Sequence, residues 1–332
     1  MEYIINNQEV LAQLPALLPN GVAISSSSQP FIEANTVDMS VKELEEQHII
    51  PVWTTTNEPL ISHMEFIETV WETTHKLFPQ ETIFKPNIRV SHPIKGRIPE
   101  AKHKAASQLE PWESTIYYER MMFVIEIPGI TQTINGNQLN LTVGGVKSYN
   151  LDNLYSKRTH ADQRFQMFIG FQNKVCCNLC VWSDGIREEL GIKNLNQLAY
   201  ASENMIQQFN LEKQLKALQQ FTSIQLSETE FAQLVGRSRM YKHLPDNIRK
   251  DIPAMLLGDQ QLNTVVKDFY KDSNFGCETG GDISLWEFYN LLTGANKSSY
   301  IDTFVERTVN AHDFSNGIIQ HKTQSKPFWY MG

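Results

Sequence analysis

The side chains that could do chemistry in this chain include four cysteines, three of them in one short segment. Cys177 and Cys180 have the C-x-x-C spacing of zinc knuckles and redox motifs. A tetrahedral zinc site needs a second pair of ligands, for which the sequence offers only Cys277 and scattered histidines. We therefore favour reduced cysteines in a buried strand, with Cys176 and Cys180 on one face and Cys177 on the other, and we expect no metal and no cofactor.

Histidines are frequent acid–base catalysts at neutral pH, and three of them lie near charged residues here. His92 and His103 flank the lysines of one basic segment, and His160 lies two residues before Asp162. None completes a triad, and the motifs of nucleotide hydrolases, dinucleotide enzymes, zinc proteases and serine hydrolases are absent. No catalytic residue is assigned, and an enzyme of unfamiliar type that uses His92 or His103 stays as an alternative.

A stretch of positive charge, which we call the basic arm, covers residues 85–104 and has a net charge of +5. Its bases are Lys85, Arg89, Lys95, Arg97, Lys102 and Lys104, against the single acid Glu100. His92 and His103 lie in the same stretch. Three prolines and a glycine predict a loop or an extended segment, which can follow a phosphate backbone.

A second basic cluster, residues 237–250, lies at a predicted helix end. Its bases are Arg237, Arg239, Lys242, Arg249 and Lys250, with Asp246 as the acid. Tyr241 and His243 lie among them, and aromatic side chains beside bases suit stacking on unpaired nucleotides. The predicted nucleic-acid site consists of Lys85, Arg89, His92, Lys95, Arg97, Lys102, Lys104, Arg237, Arg239, Tyr241 and Lys242. The alternative is that both runs are solvated faces balanced by acidic residues elsewhere.

The chain as a whole is acidic, with 29 Lys and Arg against 37 Asp and Glu in 332 residues and a formal net charge of −8. This balance argues against a protein coated uniformly in positive charge. Residues 1–80 hold eleven acids and two bases, a net charge of −9, so the other 252 residues sum to +1. Because hydrophobic periodicity is weak before residue 57, we predict an acidic, partly extended leader over residues 1–57 that adds little to the core.

The N-terminal residues lack the basic and apolar regions of a secretory signal. No apolar run approaches the roughly 18 residues that a membrane span requires. We therefore expect a cytoplasmic protein that is not associated with a membrane.

The predicted secondary structure that positions these side chains differs between regions of the chain. Strands are predicted over residues 117–127, 130–134, 138–147, 164–171 and 174–182. Asn135-Gly136 predicts a tight hairpin, and Gln172-Asn173 predicts a second one. Gly144-Gly145 indicates a bulge or a close approach of backbone to a neighbouring group.

Helical spacing surrounds this strand-rich region. Ser62 and Glu65 form a capping-box pattern before a predicted helix that ends near residue 78, and Ser227 and Glu230 form a second one. Residues 195–221 predict one long helix or a pair, and two further helices are expected over 262–270 and 284–312, the latter interrupted near Gly294.

Strands followed by helices indicate an α+β fold, with an antiparallel sheet of about five strands followed by a helical C-terminal half. We divide the chain into the leader (1–57), a region of helix, basic arm and sheet (58–187), and a helical region packed on the sheet (188–332).

Four segments resemble domain-of-unknown-function family 3871: IRVSHPIKGRIP at 88–99, FIGFQN at 168–173, VCCNLC at 175–180 and LVGRSR at 234–239. The resemblance extends from about residue 57 to the end of the chain. A looser similarity, in the strand with Cys-x-Asn and the helices after it, is to the broader phage- and plasmid-like group 932. The resemblance implies a mobile element, among phage, plasmid and conjugative genes, and it assigns no catalytic residue.

Together these observations predict a non-hydrolytic nucleic-acid-binding protein of a mobile element, with a single-stranded ligand and a role in maintenance, recombination or protection. One alternative is a protein-interaction factor, such as an antirepressor or antirestriction protein, whose acidic leader mimics nucleic acid and binds a host or phage protein. The other is the unfamiliar enzyme that uses His92 or His103.

Overall fold

The structure, a computed structural model, describes residues 30–47, 60–152, 162–181, 187–277 and 281–332. Strands dominate the first half and helices the second, which confirms the predicted α+β class. The main sheet is antiparallel and has seven strands rather than five. These strands are β1 Val37–Met39, β2 Asn87–Arg97, β3 Ser114–Ile134, β4 Asn137–Ser148, β5 Gln163–Asn173, β6 Leu179–Val181 and β7 Arg187–Ile192. They pair in the order β1 to β5, and β6 and β7 pair with different parts of β5.

The predicted Asn-Gly hairpin joins β3 and β4. Asn135 and Gly136 both have positive φ, 48° and 77°, which is the backbone of the tight turn that suits twisted strands. The two strands predicted before it are one long strand, whose register shifts between Ile127 and Thr131. The extra residues there are accommodated as a local irregularity and do not end the strand.

The predicted strand over residues 174–182 is wrong in its first part. Asn173 ends β5, and its backbone carbonyl accepts a hydrogen bond from Cys177 N at 2.8 Å, which closes a turn before β6. The Asn173 side chain stabilises the turn by accepting from Val175 N at 3.0 Å. Cys176 and Cys177 lie in this turn, where Cys177 has a φ of 57°, so they do not alternate between the faces of a strand. Cys177 and Cys180 are buried, as expected for reduced cysteines.

Nine helices lie in the described residues. They are α1 Val41–Gln47, α2 His63–Leu77, α3 Leu195–Gln208, α4 Leu211–Thr222, α5 Glu228–Tyr241, α6 Asp246–Arg249, α7 Asp259–Lys271, α8 Leu285–Asn296 and α9 Ile301–Gln324. Both predicted capping boxes form, at the starts of α2 and α5. The last predicted helix is interrupted at residues 297–300, and Gly294 lies inside α8. Strands β8 Gln225–Leu226 and β9 Ile283–Ser284 form a separate small pair.

The described part of the leader belongs to the core, contrary to the prediction. Phe31, Ile32 and Leu44 are buried among the residues of the main core. Strand β1 adds to the sheet by pairing with β2. The expectation of a small contribution was based on weak periodicity, but a two-residue apolar contact and a three-residue strand are too short to produce a period. The predicted boundary at residue 57 lies outside the described residues.

Replacing Ile32 with valine is expected to lower the free energy of unfolding by about 0.5–1.5 kcal/mol, because it removes a buried methyl group. Val37→Ala, at an exposed position on β1, is the control and should change it by no more than about 0.5 kcal/mol. Urea denaturation of both variants checks this. Equal, negligible effects would place residues 30–47 outside the core in solution.

Candidate nucleic-acid interface

The basic arm is built mainly as a β-strand, which is the extended alternative of the prediction and not the loop. Residues 91–97 of β2 pair with residues 114–120 of β3, whereas the pairing of β3 with β4 begins only at Arg120. Within the described chain, residues 91–97 and 114–119 therefore form a two-stranded extension of the sheet, which we call the ribbon. Residues 98–113, with three short 3₁₀ turns, connect its strands and are called the tip loop.

Pro93 does not prevent this pairing, although it suggested a loop in the sequence. Proline is found on edge strands because its missing N–H then breaks no ladder bond. The β1 strand covers β2 only as far as Val90, and among the described residues no other strand pairs with the outer side of residues 91–97. The ribbon thus has an open edge that tolerates a proline.

Three lysines of the basic arm are available to a ligand. Lys85 precedes β2, Lys95 lies on the ribbon and Lys102 lies in the tip loop. All three side chains are exposed, and none forms an ion pair with a residue that the structure describes. They are the predicted site residues that the structure leaves best placed to neutralise phosphates.

The other three bases of the arm have partners within the protein. Arg89 is only 14% exposed and donates to the Thr36 backbone carbonyl at 3.0 Å, so it holds the leader against β2. Arg97 donates to the backbone carbonyl of Lys104. The Lys104 ammonium contacts the Glu113 carboxylate at 2.5 Å, and this hydrogen bond lowers the pKa of Glu113. Arg97 and Lys104 thereby shape the tip loop.

The two histidines of the arm have different settings. His92 is half-buried on β2 with a φ of 57°, and its Nδ1 lies 2.9 Å from Ser91 Oγ. His103 is exposed in the tip loop. Within the described residues neither side chain is hydrogen-bonded to a carboxylate that would orient it as a general base. His160, the third histidine considered, lies outside the described residues.

The second basic cluster is used largely for packing. Arg237 donates a hydrogen bond to the Trp329 backbone carbonyl. Its guanidinium carbon lies 5.4 Å from the centre of the Trp329 ring. Arg239 donates to the side-chain oxygen of Asn263. These contacts join α5 to the C-terminal residues and to α7, so both arginines bind neutral groups within the protein.

The two other predicted site residues of that cluster, Tyr241 and Lys242, also contact groups within the protein. Lys242 forms an ion pair with Asp259 at the start of α7. Tyr241 is half-buried against the core, with its ring 6.1 Å from that of Tyr330. Tyr241 therefore does not present an open ring face in the way that the sequence suggested.

The loop between α8 and α9, residues 297–300, lies close to both basic regions. Gln261 of α7 donates to Ser298 Oγ at 3.1 Å, close to the second basic cluster. The exposed ring of Tyr300 lies 6.3 Å from that of His92 on the ribbon. This loop therefore contacts His92 of the ribbon and also α7, the helix to which Arg239 and Lys242 are bonded.

Sequence reasoning missed Trp112 in the tip loop. Its side chain is 70% exposed, the largest exposure among the large hydrophobic residues of the described chain. A tryptophan eight residues from Lys104 was visible in the sequence, but its exposure was not, because tryptophan is usually highly buried.

The sequence analysis also did not predict a buried ion pair. Lys147 Nζ donates to Asp152 Oδ2 at 2.6 Å, and both side chains are almost fully buried. Burial lowers the pKa of Lys147 to about 8 and raises the pKa of Asp152, because each charge is removed from water. Shifted groups often mark functional sites. This lysine, however, is fully enclosed, with the Phe165 ring 4.1 Å away, so we assign it a structural role.

The described residues contain no group of three or more His, Cys, Asp or Glu side chains that could hold a metal ion. Burial raises the pKa of the Cys176 and Cys180 thiols to about 12, which keeps both as neutral thiols near pH 7. None of the helices in the described ranges combines the length and apolar character needed to cross a membrane.

The described residues define an α+β protein with an antiparallel sheet and a projecting, lysine-bearing ribbon. The family model described as "Domain of unknown function, B. Theta Gene description (DUF3871)" matches residues 15–331, so the chain belongs to this family. No curated protein and no solved structure matches the chain significantly.

Proposed function

We propose that this protein binds nucleic acid through the ribbon and the tip loop, without hydrolysing nucleotides. The observation that carries the proposal is a set of three exposed lysines of the basic arm without ion-pair partners in the described chain. Lys95 lies on a ribbon that extends past the sheet, Lys102 lies in the tip loop, and Lys85 precedes the other end of β2. Phosphate contacts by lysine supply most of the sequence-independent affinity for nucleic acid. A projecting ribbon offers these charges without requiring a cleft.

Nearby acids set the expected strength of this interaction. Glu113 is buried and paired with Lys104, so it contributes little repulsion. Glu100 and Glu110 are exposed in the tip loop and oppose an approaching phosphate. We therefore expect modest affinity that falls steeply as salt is added.

The biological setting is proposed from the sequence resemblance rather than from the geometry. A protein of this kind would act in the cytoplasm on the nucleic acid of a mobile element, in maintenance, recombination or protection. The link to group 932 is part of the same proposal.

Replacing Lys85, Lys95 and Lys102 together with glutamine should make the dependence of log affinity on log salt concentration shallower by up to about 2, since each contact to a single strand contributes about 0.7. Fluorescence anisotropy of a labelled oligonucleotide from low to moderate salt measures the slope. The matched control replaces three exposed lysines on helices α4 and α7, Lys213, Lys216 and Lys271, with glutamine.

The control triple variant should keep the wild-type slope, because its lysines lie away from the ribbon. Glu100→Gln should strengthen binding, which tests the sign of the charge effect at the same surface. Absence of binding by the wild-type protein at low salt would remove the proposal. An equal loss in both triple variants would reduce it to a general effect of net charge.

A protein-interaction role is the second candidate, and the open edge of the ribbon favours it. An extended peptide can add to such an edge as a further strand. In the described part of the leader the apolar residues Phe31, Ile32 and Leu44 pack in the core, and the acidic residues Glu43, Glu45 and Glu46 remain exposed. A partner that co-purifies with the wild-type protein, is lost when Lys95, whose N–H faces the same side as that of Pro93, is replaced with proline, and is kept when Lys95 is replaced with glutamine would support this candidate.

A further inference from the structure

Trp112 is the most exposed large hydrophobic side chain in the described chain, and it lies in the tip loop beside the basic ribbon. Tryptophan carries one of the largest apolar surfaces of any side chain, and its exposed ring offers a flat face on which a ligand can stack. The question is what kind of ligand would cover an aromatic ring at this place.

The position of Trp112 is fixed by bonds to the next residue, Glu113. The Glu113 backbone carbonyl accepts from Ile98 N at 3.0 Å, at the end of the ribbon. Its carboxylate accepts from Lys104 Nζ at 2.5 Å and from Glu110 N at 2.9 Å. The 3₁₀ turn that carries Trp112 is therefore bonded to three separate points of the tip loop, Ile98, Lys104 and Glu110. These bonds fix the backbone that presents the exposed ring.

Basic residues lie near this ring along the chain, together with the exposed Glu110 two residues before it. Ser114, two residues after Trp112, pairs with Arg97 of β2. Lys104 is held to the same turn through Glu113, and Lys102 is exposed two residues before Lys104. An exposed ring in the same loop as the exposed Lys102 matches a ligand with alternating flat bases and phosphates.

We propose that Trp112 stacks on an unpaired base, so that the ligand of the ribbon is single-stranded rather than duplex nucleic acid. This inference rests on the proposed function and adds its substrate class. In a duplex the faces of internal bases are covered by their neighbours, and only a strand with free bases can use the ring. Stacking accepts every base, so the preference is for strandedness and not for sequence.

The test uses the full-length protein with a labelled oligothymidylate of about 16 nucleotides and a duplex of the same length. Trp112→Ala should weaken binding to the single strand by roughly 5- to 150-fold and leave the salt slope unchanged. Trp112→Phe, which keeps a ring, should retain most of the affinity. Tyr200→Ala is the matched control, since Tyr200 is 69% exposed on α3, which packs near the opposite edge of the sheet.

Intrinsic fluorescence gives a second readout. Binding of the single strand should quench part of the tryptophan emission of the wild-type protein, and Trp112→Phe should lose that part. Because the side chain is exposed, the thermal melts of these variants should match the wild type.

The outcomes separate the two proposals. If the lysine triple variant loses affinity while Trp112→Ala does not, or if the duplex binds the wild-type protein as tightly as the single strand, the stacking inference is overturned and the proposed function stands. If the wild-type protein binds neither probe at low salt, both are overturned.

Discussion

Replacing Lys147 with methionine is expected to lower the free energy of unfolding by about 3–5 kcal/mol, because it leaves the buried Asp152 carboxylate without a counter-charge. The two side chains are 0% and 1% exposed, so water cannot take the place of the missing ammonium. Asp152 would keep its hydrogen bond from Arg164 N at 2.7 Å, which compensates only part of its charge. Urea denaturation, with the m-value compared to detect a change of unfolding mechanism, measures the loss.

The double variant Lys147→Met with Asp152→Asn separates charge from shape. Asparagine keeps an oxygen that can accept from Arg164 N and carries no charge, so most of the lost stability should return. A double variant as unstable as the single one would contradict the explanation. The cause would then be the shape of the lysine side chain, which packs over Phe165 and Tyr149.

Replacing Gly144 with alanine is expected to lower the free energy of unfolding by about 1–3 kcal/mol, through overpacking. A Cβ at this position would lie 2.4 Å from the backbone oxygen of Phe123 and 2.3 Å from the Phe168 ring. Both distances are far below van der Waals contact, and the backbone oxygen cannot rotate away. This confirms the close approach that the Gly-Gly pair indicated, in a stretch of β4 where the register with β3 continues without a bulge.

Gly236→Ala is the matched control and should have the opposite sign. Gly236 lies inside α5, and a Cβ there would meet nothing within 4 Å. Alanine in a helix interior is favoured over glycine by about 0.5–1 kcal/mol, so this variant should be more stable than the wild type. Thermal melts of the two variants, run side by side, test the contrast. If the melting temperatures of Gly144→Ala and Gly236→Ala shift in the same direction and by the same amount, the neighbours of Gly144 move aside without strain.

The elements that were predicted correctly are those specified by nearby residues. Ser62 and Ser227 each cap a helix through a bond to a residue three positions away, and Asn135-Gly136 adopts the positive φ values that its turn needs. The class of fold follows from the change of hydrophobic period along the chain. These signals need no knowledge of distant partners, which is why they could be interpreted in isolation.

Of the candidate site, the sequence analysis could predict only the excess of positive charge. The excess of bases in residues 85–104 is a property of the sequence. Which of those bases are free is a property of contacts with distant residues. Arg89 is held by Thr36, 53 positions away, and Arg237 by Trp329, 92 positions away. No local sequence pattern indicates such partners. The bonds made by Arg237 and Arg239 and the exposure of Trp112 could therefore not be predicted from the sequence.

The sequence by itself thus determined the helix starts, the central hairpin, the order of strands before helices and the place where positive charge accumulates. Each depends on hydrogen bonds or periodicities that span a few residues. The tertiary structure decided that residues 91–97 of the basic arm form a ribbon with residues 114–119, that leader residues 37–39 add a strand to the sheet, and that Lys147 and Asp152 are buried away from water. These outcomes depend on strand pairing and burial between remote segments, whose energies arise only when the whole core is assembled.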